Sequence, residues 1–113
     1  MKNIIISILS LAFIFAVIGC AEDTNPRIRV RNERQDKANV QIQTSGGNTI
    51  NINDVLSGQT TEYLMVAEGI MTATAVIQKE PVSPVTNFFG EKNNNYTIII
   101  QMGNPPTLRV FRE

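Results

Sequence analysis

The chain has 113 residues with ten basic and ten acidic side chains, five prolines, seven glycines, one cysteine, no histidine and no tryptophan. That length holds one domain. Without histidine there is no Ser-His-Asp or Cys-His couple and the commonest metal ligand is missing; a single cysteine excludes an internal disulfide and a thiolate zinc cluster.

The first element is an address. Lys2 precedes a run from Ile4 to Ile18 that is apolar except for Ser7 and Ser10. As a helix, fifteen residues span about 22 Å, short of the roughly 30 Å hydrocarbon core of a bilayer. A short apolar run behind one lysine and ending at a small glycine reads as a cleaved signal peptide, residues 1–19. The run closes on Val17-Ile18-Gly19-Cys20. This resembles a bacterial lipobox, in which the peptidase cuts before the cysteine and the sulfur carries a diacylglycerol; Ile18 stands where that motif usually has a small residue. The chain's only cysteine falls at the expected end of the run, so Cys20 is the expected lipidation site, and the membrane is the first expected partner. Ala21 in place of aspartate favours the outer membrane of a bacterial envelope over the inner one, and Glu22-Asp23 resembles an acidic surface-export signal.

The mature chain is then Cys20–Glu113, 94 residues; only Lys2 of the ten basic residues leaves, so nine basic and ten acidic side chains remain. A balance of −1 offers no bulk attraction to nucleic acid. Residues 20–26 are polar and end in Pro26, which reads as a tether to a domain at 27–113.

From Arg27 onward the apolar residues alternate with a period near two. Ile28 and Val30 alternate with Arg27, Arg29 and Arg31; Val40 and Ile42 with Gln41 and Gln43; Ile50 and Ile52 with Asn51 and Asn53. Ser45-Gly46-Gly47-Asn48 is a turn, Ser57-Gly58-Gln59 a break, and Thr60 to Ala67 a further strand. After Glu68-Gly69, the stretch from Ile70 to Lys79 places Met71, Ala73, Ala75 and Ile77 on one face and Thr72, Thr74 and Val76 on the other. Pro81 and Pro84 mark a bend. Val85 to Phe89 is a short strand, Gly90 to Asn95 a loop, Tyr96 to Met102 the most apolar strand, and Thr107 to Arg112 the last. No segment keeps helical spacing over three turns. Seven or eight short strands at this spacing predict an all-β, antiparallel, Ig-like β-sandwich. Tyr96 opens a buried strand directly after a polar loop, the position of a tyrosine corner in such sandwiches.

Three stretches resemble one family. Arg27-Ile-Arg-Val-Arg-Asn32 with Asp36-Lys-Ala-Asn-Val-Gln-Ile42, then Ser57-Gly-Gln-Thr-Thr-Glu-Tyr63 with Val66-Ala-Glu-Gly69, then Asn95-Tyr-Thr-Ile-Ile-Ile100, are similar to the opening, hairpin and late strand of the bacterial extracytoplasmic domain of unknown function 4397. The resemblance covers about Arg27 to Phe111; Glu33-Arg34-Gln35 departs from it, where that family usually has Ala-Ser-Pro. It implies an Ig-like or prealbumin-like sandwich on a secreted or lipid-anchored protein, and no catalytic residues.

Chemistry-bearing patterns are few. Arg27, Arg29 and Arg31 share one face of one strand. A planar guanidinium fork suits phosphate, so this ladder contacts an anionic lipid surface, guards a sheet edge, or is a solvated face paired with Glu62, Glu68 or Glu113. Phe88-Phe89 follows two prolines; exposed, the pair is a candidate contact for a protein partner in the envelope, and buried it is core, the reading that aromatic area favours, with the opposite directions of adjacent rings in a period-two strand leaving room for one to be half-exposed. The Gln41/Gln43 and Asn51/Asn53 stripes read as a solvated sheet face. The acids follow no calcium-loop spacing. No metal, cofactor or catalytic residue is expected, and the function read from the residues is that of a non-catalytic binding or structural module. The alternative is an envelope inhibitor or small-ligand carrier using the 81–95 segment.

Overall fold

A computed structural model describes residues 24–113. The expected signal peptide and the expected lipidation site, Cys20, lie outside the described residues.

The alternation becomes eight strands: β1 (Arg27–Asn32), β2 (Ala38–Thr44), β3 (Thr49–Val55), β4 (Leu64–Met65), β5 (Gly69–Ile77), β6 (Val85–Gly90), β7 (Asn95–Gln101) and β8 (Thr107–Arg112). There is no helix among the described residues. Two four-stranded sheets form, ordered β4-β1-β7-β8 and β3-β2-β5-β6. The all-β sandwich is therefore present. Its strand order differs from the A-B-E-D and C-F-G sheets of an immunoglobulin constant domain.

One pairing departs from the antiparallel expectation. β1 and β7 run parallel, from Arg27 beside Asn95 to Asn32 beside Ile100. Parallel neighbours need a long crossover. Here β2 to β6 supply it: the chain leaves β1, builds the whole second sheet and the short β4, and returns beside its own start. β4 is also shorter than the strand expected over Thr60 to Ala67. That segment still lies along β1, but its bonds are irregular. Thr61 N–H donates to the Val30 carbonyl (2.8 Å), while Val30 N–H donates to the Thr61 hydroxyl (2.9 Å) instead of a backbone carbonyl. A side chain has taken the ladder position, and regular pairing resumes only at Leu64–Met65.

The core is the set of inward positions of both sheets. Ile28, Val30, Tyr96, Ile98 and Ile100 come from the first sheet, and Val40, Ile42, Met71, Ala73, Ala75 and Ile77 from the second. Phe88, Leu108 and Val110 pack against its margin. Asn32 is a polar residue with no exposure, and all its bonding groups are satisfied: Nδ2 donates to the Asp36 and Val55 carbonyls and Oδ1 accepts from Arg34 N–H. The turn into β5 requires Gly69, whose φ is 141° and where a Cβ would collide with the Ser45 side chain.

Residues 24–26, expected to belong to a tether, are instead fastened to the domain. Pro26 is fully buried beside Gly90 and Met71, and its carbonyl accepts from Val66 N–H (2.9 Å). Thr24 exchanges bonds with Asn93 through Thr24 N–H to Asn93 Oδ1 (2.9 Å) and Asn93 N–H to the Thr24 carbonyl (2.8 Å).

Candidate binding surface

The outward face of the first sheet carries the arginine ladder. Arg27 and Arg31 are exposed, Arg29 is half-buried, and the alternating residues Ile28 and Val30 are fully buried. β1 is nevertheless not an edge strand. It lies between β4 and β7, and the 58–66 segment covers the rest of its flank, with Asn32 N–H donating to the Gln59 carbonyl (2.9 Å). Edge guarding therefore does not explain the arginines. The register adds a fourth member that spacing along one strand does not show. Arg31 lies beside Ile99, and Ile99 beside Arg109 of β8, so Arg109 shares the same outward face.

The four are not equivalent. Arg29 is committed: its Nη2 meets Glu113 Oε1 at 2.9 Å, Nε donates to the Thr97 hydroxyl (3.0 Å), and its guanidinium lies 4.5 Å over the Tyr63 ring. The Tyr63 hydroxyl donates to the other Glu113 oxygen at 2.6 Å. That bond, reinforced by partial burial, raises the Tyr63 pKa above its ordinary 10.0, against the opposing pull of Arg29. Arg31 pairs loosely with Glu33 (3.6 Å). Arg27 and Arg109 have no carboxylate partner among the described residues, and Arg109 lies 6.0 Å from the Phe111 ring centre. Arg34, the next basic residue, is buried. It donates to the Gln101 and Gly103 carbonyls and meets Glu80 at 2.9 Å, joining three loops at the pole opposite the tether.

The two phenylalanines separate as their adjacency predicts. Phe88 faces inward, its ring centre 5.4 Å from that of Tyr96. Phe89 faces outward and is 53% exposed, beside Ile70 of β5 at 60%. Val85, on the same outward face of β6, is 58% exposed. β6 is an edge strand, paired only to β5. An apolar outward face on an open edge was not legible from the phenylalanines alone, because strand order decides which strand is left unpaired.

Tyr96 behaves as a tyrosine corner: it is 3% exposed and its hydroxyl accepts from Glu91 N–H, five residues upstream, at 2.8 Å. Gln41, Gln43, Asn51, Thr72, Thr74 and Asn87 form one outward, uncharged face of the second sheet through the β3-β2-β5-β6 register. A shallow cleft of about 210 Å³ lies at one end of that sheet, lined by Lys37, Ala38, Asn39, Val76 and Gln78. None of these residues belongs to the 81–95 segment. Tyr63 lies on the opposite sheet's outward face, away from the buried Phe88–Tyr96 pair, so these three aromatics do not line one cavity. No group of three acids or cysteines among the described residues is placed to hold a metal.

No family model matches the chain, and no curated protein matches it. Among solved structures it is similar to a protein from Eubacterium rectale determined by NMR, with a TM-score of 0.58 and 18% identity, over 80% of this chain and 87% of that one. At that identity the likeness is one of fold.

Proposed function

We propose that the chain is a non-catalytic binding module of a bacterial cell envelope, held to a membrane by acylated Cys20 and recognising a protein partner through the open edge of β6. The observation that carries the reading is the outward face of β6: Val85 and Phe89, with Ile70 alongside, expose apolar side chains on a strand whose outer backbone edge is unpaired. Exposed apolar patches mark interaction sites, and an open edge offers backbone hydrogen bonds to an incoming strand. The outer membrane is the proposed location, and the lipobox resemblance at Val17–Cys20 is what supports anchoring. Several acyl chains on one cysteine hold a protein stably, since each buried methylene contributes about 0.8 kcal/mol. The arginine face supports the same setting. Arg27 and Arg109, with Arg31 held only loosely by Glu33, present guanidinium groups to anionic head groups, each worth about 1 kcal/mol near such a surface.

A photo-crosslinking amino acid at Phe89, introduced into the full chain in intact cells, tests the docking reading. A discrete protein adduct from position 89, absent when the probe stands at Gln41 of the polar face, is the expected result. Equal diffuse labelling from both positions, or none from 89, contradicts it.

A further inference from the structure

The open edge of β6 also specifies its occupant, on the premise that this edge is the docking site. The sandwich has four edge strands: β4, β8, β3 and β6. Natural sheets protect such edges by shortness, charge or irregularity. β4 has two residues. β8 carries Arg109 and Arg112. β3 is set out of register with β2 between Ala38 and Val40, and Asp54 near its end sits at a φ of 55°. β6, with the sequence Val-Thr-Asn-Phe-Phe-Gly, has none of these devices. It contains no charge and no proline, and pairs β5 without a break from Val85 to Gly90.

The directions of its backbone groups follow from one bond. Ala75 N–H donates to the Pro84 carbonyl (3.0 Å), so Pro84 turns toward β5. By strand alternation Thr86 and Phe88 do the same, and the amides and carbonyls of Val85, Asn87 and Phe89 face the open edge. Those three residues are symmetric about Asn87. If a second β6 lies antiparallel with Asn87 opposite Asn87, then Val85 stands opposite Phe89 in both halves. All three pairs exchange both backbone bonds. Apolar meets apolar on the outward face, and no charge lies along the seam.

We propose that two copies of this chain join β6 to β6, antiparallel, about a two-fold axis through Asn87, making one continuous eight-stranded sheet. Closed two-fold interfaces place the same patch on both subunits, as this one does. The arrangement also suits a shared membrane. An axis along the sheet normal leaves that normal unchanged, so both arginine faces look the same way. Both β1 strands, from which the tethers lead, lie in that same layer.

The test uses the full chain in its own membrane. Asn87→Cys places a thiol on the axis, where opposed Cα atoms about 5.5 Å apart lie within disulfide reach. Cys20 is the chain's only natural cysteine, so the wild type is the control for it. Mild oxidation should give a species of twice the monomer mass from Asn87→Cys, and none from the wild type or from Asn51→Cys on the same face. Adding Val85→Lys should lower that yield about tenfold by placing a charge in the seam. Adding Phe89→Glu as well should restore it, because each lysine then faces a carboxylate of the other copy. A monomer from Asn87→Cys, or no rescue by the second charge, overturns the self-pairing. An adduct of another mass overturns it too, but leaves docking at this edge standing; silence here together with silence of the Phe89 probe removes both.

Discussion

Tyr96, Asn32 and Tyr63 show how single side chains hold the loops to the sheets. The Tyr96 hydroxyl accepts the Glu91 N–H at the start of the 91–94 loop. Tyr96→Phe removes that acceptor and keeps the ring against Phe88, so chemical denaturation should show a loss of about 1–2 kcal/mol; a neutral result would reject the corner. Asn32 bonds three backbone groups, and Asn32→Leu leaves the Val55 carbonyl and the Arg34 N–H without their partner. The expected loss is larger, about 2–4 kcal/mol. The Tyr63–Glu113 bond has a pH signature. The folded state holds the phenol proton more tightly than the unfolded state, so its stabilisation is complete below about pH 10 and disappears as pH rises through the raised folded value. In a phenolate absorbance titration, Glu113→Gln should shift one tyrosine to lower pH. At this scale Tyr96 was legible in the sequence, because a loop-then-strand position has a local signature. Glu113 was a candidate partner for the arginine face, but its bond to Tyr63 was not legible, since the two lie 50 residues apart; nor was the burial of Asn32, which depends on the Val55 carbonyl brought to it by the second sheet.

At the scale of elements, the alternation of apolar and polar residues carried most of the information. Met71, Ala73, Ala75 and Ile77 are buried on one face of β5, as their spacing requires. Periodicity sets which face of a strand is buried but not which strands are neighbours. That is why β1 reads equally well as an edge and as an interior strand, and why its parallel pairing with β7 has no sequence signal. It also hid Arg109, which joins the ladder only across β7. The membrane role of this face is testable by replacing Arg27, Arg31 and Arg109 with glutamine, leaving the Arg29–Glu113 pair intact. Binding to vesicles containing anionic lipid should weaken and lose its salt dependence, whereas neutral vesicles should show no change. Unaltered, salt-sensitive binding by the triple variant would assign the contact elsewhere.

For the whole molecule, the position of the tether decides what the domain presents. Because Thr24 and Pro26 are fastened to the domain, only residues 20–23 remain between the proposed acyl group and the fold. Four residues reach at most about 14 Å. An anchored domain is thus confined close to the head groups, where a face of arginines is in range and a partner can approach β6 only along the surface or from above. This confinement depends on Cys20, and the sequence speaks to it more directly than the fold does: the lipobox resemblance is local, whereas the proposed docking edge required the complete strand order. The direct measurement is the intact mass of the protein extracted from cell membranes, alongside fractionation of Cys20→Ala. The expected result is a mature chain beginning at Cys20 with the added mass of a diacylglycerol, and release of the variant from the membrane fraction. An unmodified thiol at Cys20, or a variant that still pellets with membranes, would contradict it.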